Sequence, residues 1–117
     1  MHAIHIGRIY DSADETRGRR VLVDRIWPRG VRKADAQLDE WLKNVAPTTQ
    51  LRKWYGHDPK RYDEFARLYR DELEDEDHAD SLARLKEWLA DEPVTLLTAS
   101  KDTGQSHVPI IVSALKG

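Results

Sequence analysis

At 117 residues, with 39% hydrophobic and 34% charged side chains, the chain is long enough to bury one core and short for two. A formal net charge of −2 gives no broad basic footprint for nucleic acid, and the absence of cysteine removes thiol nucleophiles, disulfides and thiolate metal sites together. No apolar run approaches the ~20 residues that a membrane span requires, and Met1-His2-Ala3-Ile4 opens into a strand-like pattern and not a signal peptide, so the cytoplasm is expected and a membrane partner is not.

Residues 3–10 read as the first strand, with Ile4, Ile6 and Ile9 expected inward and His5 and Arg8 elsewhere. Residues 11–18 are polar and end in glycine, as a loop would. Residues 20–26 form a β-branched run and read as the second strand, which Pro28 and Gly30 close in a turn. From Asp35 the period changes: Leu38, Trp41, Leu42 and Val45 fall at i, i+3, i+4 and i+7, one face of a helix, although 41–45 also alternate as a strand would. A short helical turn is expected over 51–55.

Asp58-Pro59 is a helix start, since an N-cap carboxylate accepts from free backbone N–H groups and proline at the first position has none to orphan. The helix after it puts Tyr62, Phe65, Ala66, Tyr69 and Leu73 on one stripe, and the acidic run 72–77 reads as its solvated end. A helix over 78–90 buries Leu82, Leu85 and Leu89 beside Trp88, and Asp91-Glu92-Pro93 breaks it. Residues 94–100 are an almost uninterrupted strand, as expected where both faces are covered, and 109–115 read as a closing helix. Strands separated by helices predict an α/β chain: a single compact layered domain over 1–117, with a small, largely parallel sheet flanked by helices in a Rossmann-like manner.

Ligands of such sheets sit beyond the carboxyl ends of the strands. Three strand ends there carry polar groups: Tyr10-Asp11, the loop from Asp24-Arg25 to Arg29-Gly30, and Ser100-Lys101-Asp102. The closing helix is expected to aim its first N–H groups at the same place, near Ser106-His107, favouring an anion. Arg25, Arg29 and Lys101 are the candidate anion holders, Trp27 and Trp54 the stacking faces, Asp24 a further binding residue, and His57 and Asp102 the candidate proton carriers. His107 is another acid or base candidate. The architectural alternative has Asp24 and Arg25 pairing with each other or at a sheet edge, Trp27 in the core, and Trp54 and Asp58 as staple and cap. His57, Asp58 and His107 lack the spacing of a metal-ligand motif, and no Walker loop, nucleophile elbow or dinucleotide fingerprint occurs.

Four blocks, Arg20 through Gly30, Ala46-Pro47-Thr48, Leu51 through Pro59, and Val94-Thr95-Leu96-Leu97 with Lys101-Asp102, resemble the YeaO-like family, the bacterial domain-of-unknown-function family numbered 488. They keep the family's order along nearly the whole chain. The resemblance implies a compact, mainly cytoplasmic bacterial α/β protein and carries no reaction. Asp24, Arg25, Trp27, Arg29, Trp54, His57, Asp58, Lys101 and Asp102 match motif positions without assigned roles. After the Lys-Asp pair, similar proteins tend to carry a polar stretch with Glu, His and Asn where this chain has Gly104-Gln105-Ser106, so the resemblance gives no support to catalysis through His107. The expected ligand is an anionic small molecule, phosphorylated or nucleotide-like, with acid–base chemistry as an option; a nucleic-acid or regulatory interaction module is the alternative, no cofactor is identified, and whether the protein is an enzyme is open.

Overall fold

Val94-Thr95-Leu96-Leu97-Thr98 contains neither charge nor glycine, and it forms strand β4 (Val94–Thr98), buried along its whole length. The computed structural model, which describes residues 1–11 and 18–117, places β4 at the centre of an α/β fold. Strands β1 (Ile4–Arg8) and β2 (Arg19–Leu22) flank β4, and β3 (Glu40–Trp41) adds to β2, in the order β1-β4-β2-β3. Every pairing is parallel. Ile4 and Arg19 both stand opposite Val94, while Leu22 stands opposite Leu97 and Trp41.

The helices are α1 (Lys33–Ala36), α2 (Thr49–Tyr55), α3 (Tyr62–Glu72), α4 (Glu76–Asp91) and α5 (Val108–Lys116). Alternation along the strands divides the apolar residues between two faces. Val21, Val23, Val94 and Leu96 join the larger core, with Phe65, Tyr69, Leu85, Leu89 and Ile111. Leu22 and Leu97 join a smaller core with Ile9 and Ala36, against which Trp27, Leu38 and Trp41 pack. Both faces of β2 and β4 are thus covered, which explains their lack of polar alternation.

Several expectations hold closely. Asp58 caps a single 3₁₀ turn at Pro59–Arg61 by accepting from the Lys60 N–H, and α3 follows with Phe65, Ala66, Tyr69 and Leu73 buried. Helix α4 starts two residues before the expected 78, because the Asp75 carboxylate accepts from the His78 N–H. The acidic run is therefore not solvated throughout: besides Asp75, Glu72 accepts from the Thr48 N–H and hydroxyl, which ties the start of α2 to the end of α3.

Other expectations fail for tertiary reasons. The helix expected from Asp35 is absent. Helix α1 ends at Gln37 in the left-handed region (φ 49°), and the Asp39 and Leu42 N–H groups donate to Arg20 and Leu22 of β2. The Arg20 guanidinium donates to the Ala36 and Gln37 carbonyls and so anchors that corner. Trp41 consequently lies in a strand, and Val45 reaches the core from a 3₁₀ turn. The second strand stops at Leu22, not Ile26, as the chain turns Asp24 back towards β4. Ile6, expected inward, is 43% exposed because β1 is an edge strand. Most of the expected loop at 11–18 lies outside the described residues. Among the described residues no helix is long and apolar enough to cross a membrane.

Candidate functional site

A cleft of about 400 Å³ opens beyond the carboxyl ends of β2 and β4. Asp24, Arg25, Trp27 and Arg29 line it from the loop after β2, Arg52 and Tyr55 from α2, His57 from the turn after α2, and His107 from the residue before α5. A second cavity of about 450 Å³ shares Tyr55, His57, Ala99 and Ser100 with it and adds Lys101 and Asp102. Five of the eight expected site residues therefore line the first cleft, and Lys101 and Asp102 extend it. Trp54 lines neither: its ring lies at the surface under the Arg61 guanidinium, 5.2 Å from the ring centre.

Asp24 is the floor. Its carboxylate accepts from the Thr98 hydroxyl at 2.7 Å and from the Ala99 N–H at 2.8 Å, which holds the loop after β2 against the end of β4. The Trp41 indole N–H donates to the Asp24 carbonyl at 2.7 Å. Arg25 is held as firmly, since its guanidinium donates to the Ala46 and Pro47 carbonyls, both at 2.9 Å, and fixes the segment leading into α2. The buried His78 ring meets the same Ala46 carbonyl at 2.8 Å and the Asp75 carboxylate at 2.8 Å. These bonds give Arg25 a framework task, as the architectural alternative had it, though its partners are carbonyls and not Asp24.

Trp27 is half-buried, with its indole N–H donated to the Val31 carbonyl and its ring edge-on to Trp41 at 5.3 Å. Arg29 and Arg52 differ from these. Both are exposed, both line the cleft, and neither guanidinium has a hydrogen-bond or ion-pair partner among the described residues. Arg52 was not singled out from the sequence. Its position three residues before Tyr55 on one helix, a spacing that shares a face, is the signal that could have found it. Tyr55 stacks on Phe65 at 4.3 Å and donates to the Gln105 carbonyl at 2.6 Å, while burial and the nearby Asp102 and Asp58 raise its hydroxyl above the ordinary tyrosine range.

The Asp102 carboxylate accepts from the Gly104 and Gln105 N–H groups and shapes the loop beyond β4. The expected donors at the start of α5 are already engaged. Val108 N–H donates to the Ser106 hydroxyl, Pro109 has no N–H, and Ile110 and Ile111 donate to the His107 carbonyl. That helix end has no free donor in its first turn for an anion. Tyr10 and Asp11 line neither cavity; Asp11 instead accepts from the Arg8 N–H. No cluster of three or more potential metal ligands occurs among the described residues.

His107 donates from Nε2 to the Val23 carbonyl at 2.8 Å, and its Nε2 lies 3.5 Å from the Asp24 carboxylate. Burial lowers its pKa below the ordinary histidine value, although Asp24 and the Val23 carbonyl pull the other way. As pH falls below ~6.5, the unfolded chain takes up this proton before the folded one does, so the group withdraws stability on acidification. His57 holds a left-handed backbone (φ 60°) directly after Gly56 (φ 56°), a conformation that costs a residue with a side chain about 1–2 kcal/mol. His57→Gly is expected to raise stability by about 0.5–1 kcal/mol, after glycine's own entropy cost. Urea melts measure the change, and a destabilised variant would contradict the assignment of strain.

The profile described as the inactive DUF488-N3 subclade matches residues 3–117. The chain is 42% identical over 114 residues to the uncharacterized protein Rv3073c of Mycobacterium tuberculosis H37Rv, covering 97% of this chain and 94% of the relative. It is 39% identical over 113 residues to the uncharacterized protein YeaO of Escherichia coli K12, covering 97% and 96%. No solved structure gives a significant match. The match over residues 3–117 and the nearly full-length coverage in both directions make this chain a member of the DUF488 family, within its inactive N3 subclade.

Proposed function

We propose that the chain binds a small phosphorylated or nucleotide-like anion in this cleft and holds it without turnover. The observation that carries the reading is the pair Arg29 and Arg52, two guanidiniums without partners among the described residues at the mouth of a cleft beyond the strand ends. A planar guanidinium fork matches phosphate oxygens bidentately, and the carboxyl ends of a parallel sheet are the customary place for such a ligand. The adjoining cavity with Lys101 leaves room for a second portion of a nucleotide-sized molecule, and Tyr55 and Trp27 supply apolar walls. The description of the subclade as inactive supports binding over chemistry. On this reading His57 and Asp102 contribute contacts and loop shape, not proton transfer.

The test is calorimetry with inorganic phosphate and nucleoside monophosphates on the wild type, Arg29→Ala, Arg52→Ala and the double variant. Each charge-assisted bond contributes about 1.5–3 kcal/mol, so each single variant is expected to lose roughly 10- to 100-fold in affinity with an unchanged melting temperature. Unchanged affinity in the double variant would overturn the reading. A nucleic-acid or regulatory module is the second reading, favoured only by the exposed Trp54 ring with Arg61 beside it. It requires oligonucleotide binding that weakens steeply with salt and is lost in Trp54→Ala, whereas the cleft ligand is indifferent to Trp54.

A further inference from the structure

The floor of the cleft has the opposite hydrogen-bonding character from its rim. At the mouth stand Arg29 and Arg52, which only donate. Deeper stand Asp24 and His107, whose side chains are 16% and 11% exposed. The carbonyl of Val23 can only accept, so His107 carries its proton on Nε2, and Nδ1 presents a lone pair. Nδ1 has no hydrogen-bond partner among the described residues. Arg19 Nε is the one sealed side-chain nitrogen or oxygen without a partner there, so Nδ1 is not sealed, and His107 lines the cleft. Asp24 has donors from Thr98 and Ala99 on its two oxygens, which leaves further lone pairs on each.

We infer that the cleft selects a phosphate group that still bears a proton, with Arg29 and Arg52 holding its charged oxygens, His107 Nδ1 receiving its P–OH and the Asp24 carboxylate disfavouring a further unprotonated oxygen. This rests on the anion-binding reading above and narrows its ligand to the protonated phosphate, of either inorganic phosphate or a monoester. A fully deprotonated oxyanion of the same shape meets lone pair against lone pair at the floor, a cost that discriminates by repulsion as much as by attraction. Burial lowers the His107 pKa and so favours the neutral ring, the form that offers the acceptor. The charged groups facing the ring from the neighbouring elements are Asp24 on the loop after β2 and, through the cleft, the titratable His57; Tyr69 of α3 packs edge-on to it.

Sulfate is the decisive probe, since it matches phosphate in shape and carries no proton near neutrality. Calorimetry on the wild-type protein at pH 7 is expected to give inorganic phosphate at least about a tenfold advantage over sulfate. Binding of a simple phosphate monoester is expected to strengthen as pH falls from 8 to 6, because its second pKa lies near ~6 and the monoanion is the form taken. His107→Gln retains an amide donor for the Val23 carbonyl and removes Nδ1; it is expected to bring phosphate and sulfate within about threefold of each other. Equal binding of both anions by the wild type, or an undiminished preference in His107→Gln, would overturn the selectivity and leave the anion site standing. Binding of neither anion would overturn both.

Discussion

Asp24→Ala is expected to cost about 3 kcal/mol and to lower the melting temperature by on the order of 10 °C. The removed carboxylate is the acceptor for two donors at the end of β4, the Thr98 hydroxyl and the Ala99 N–H. Thr98 is fully buried, and among the described residues its one other acceptor is the Ser100 hydroxyl at 3.3 Å, a longer bond. A stranded buried donor costs about 1–3 kcal/mol, and two are at risk here. Asp24→Asn should fall between wild type and alanine, because its amide carbonyl can accept one of the two donors while its NH₂ opposes the other. Denaturant melts of the three proteins measure the order. Alanine within about 1 kcal/mol of wild type would mean that the loop after β2 is held by Arg25 and Trp41 without help from the Asp24 carboxylate.

Gly18→Ala is the second large effect, again about 3 kcal/mol or more, and it acts far from the cleft. Gly18 has φ +71°, and a Cβ there would stand 1.9 Å from the Pro93 carbonyl oxygen and 2.5 Å from its carbon. The same Pro93 carbonyl accepts from the Arg19 N–H, the bond that sets the start of β2 against β4. The new methyl group therefore has to push the two central strands apart at the point where their register begins. Gly30 supplies the control: its φ is +80°, yet nothing lies within 4 Å of the Cβ position, so Gly30→Ala should pay only the left-handed penalty of about 1–2 kcal/mol. Thermal melts separate the two cases, and equal losses would show that backbone strain alone, without the collision, governs Gly18.

The central strand, the capped start at Asp58-Pro59 and the buried stripe on α3 could be read from the chain because each follows from local pattern. Val94 through Thr98 needs no partner to be recognised as doubly covered, and Asp58 acts on a neighbour two residues away. The helix expected from Asp35 illustrates the limit of such reading. Its apolar spacing was helical, but Arg20, sixteen residues earlier than Ala36, anchors the carbonyls of Ala36 and Gln37, and β2 takes the N–H groups of Asp39 and Leu42. Hydrogen bonds to a distant strand outweighed a local preference worth a few tenths of a kcal/mol per residue. Ile6 failed for the same reason in reverse: alternation marks a face, and only the sheet order shows that β1 lies at an edge where that face is left partly open.

At the site, residue type was legible and occupation was not. Asp24, Arg25, Trp27, Arg29 and His57 do meet in one cleft, as strand ends of a parallel sheet lead one to expect. Three-dimensional packing then divides them. Arg25 is satisfied by backbone carbonyls and Trp27 by Val31, Asp24 is held by β4, and the Arg29 guanidinium is left without a partner among the described residues. Arg52 enters because α2 turns it towards the cleft, and the start of α5 withdraws because its first N–H groups are already paired. By itself the sequence determined the α/β class, the family and the pool of charged groups near the strand ends, since composition, periodicity and motif are properties of neighbouring residues. Which of those charges hold the framework and which are left without a partner was decided only by the tertiary structure, because a guanidinium or a carboxylate is committed by the partners that the fold brings within about 3 Å of it.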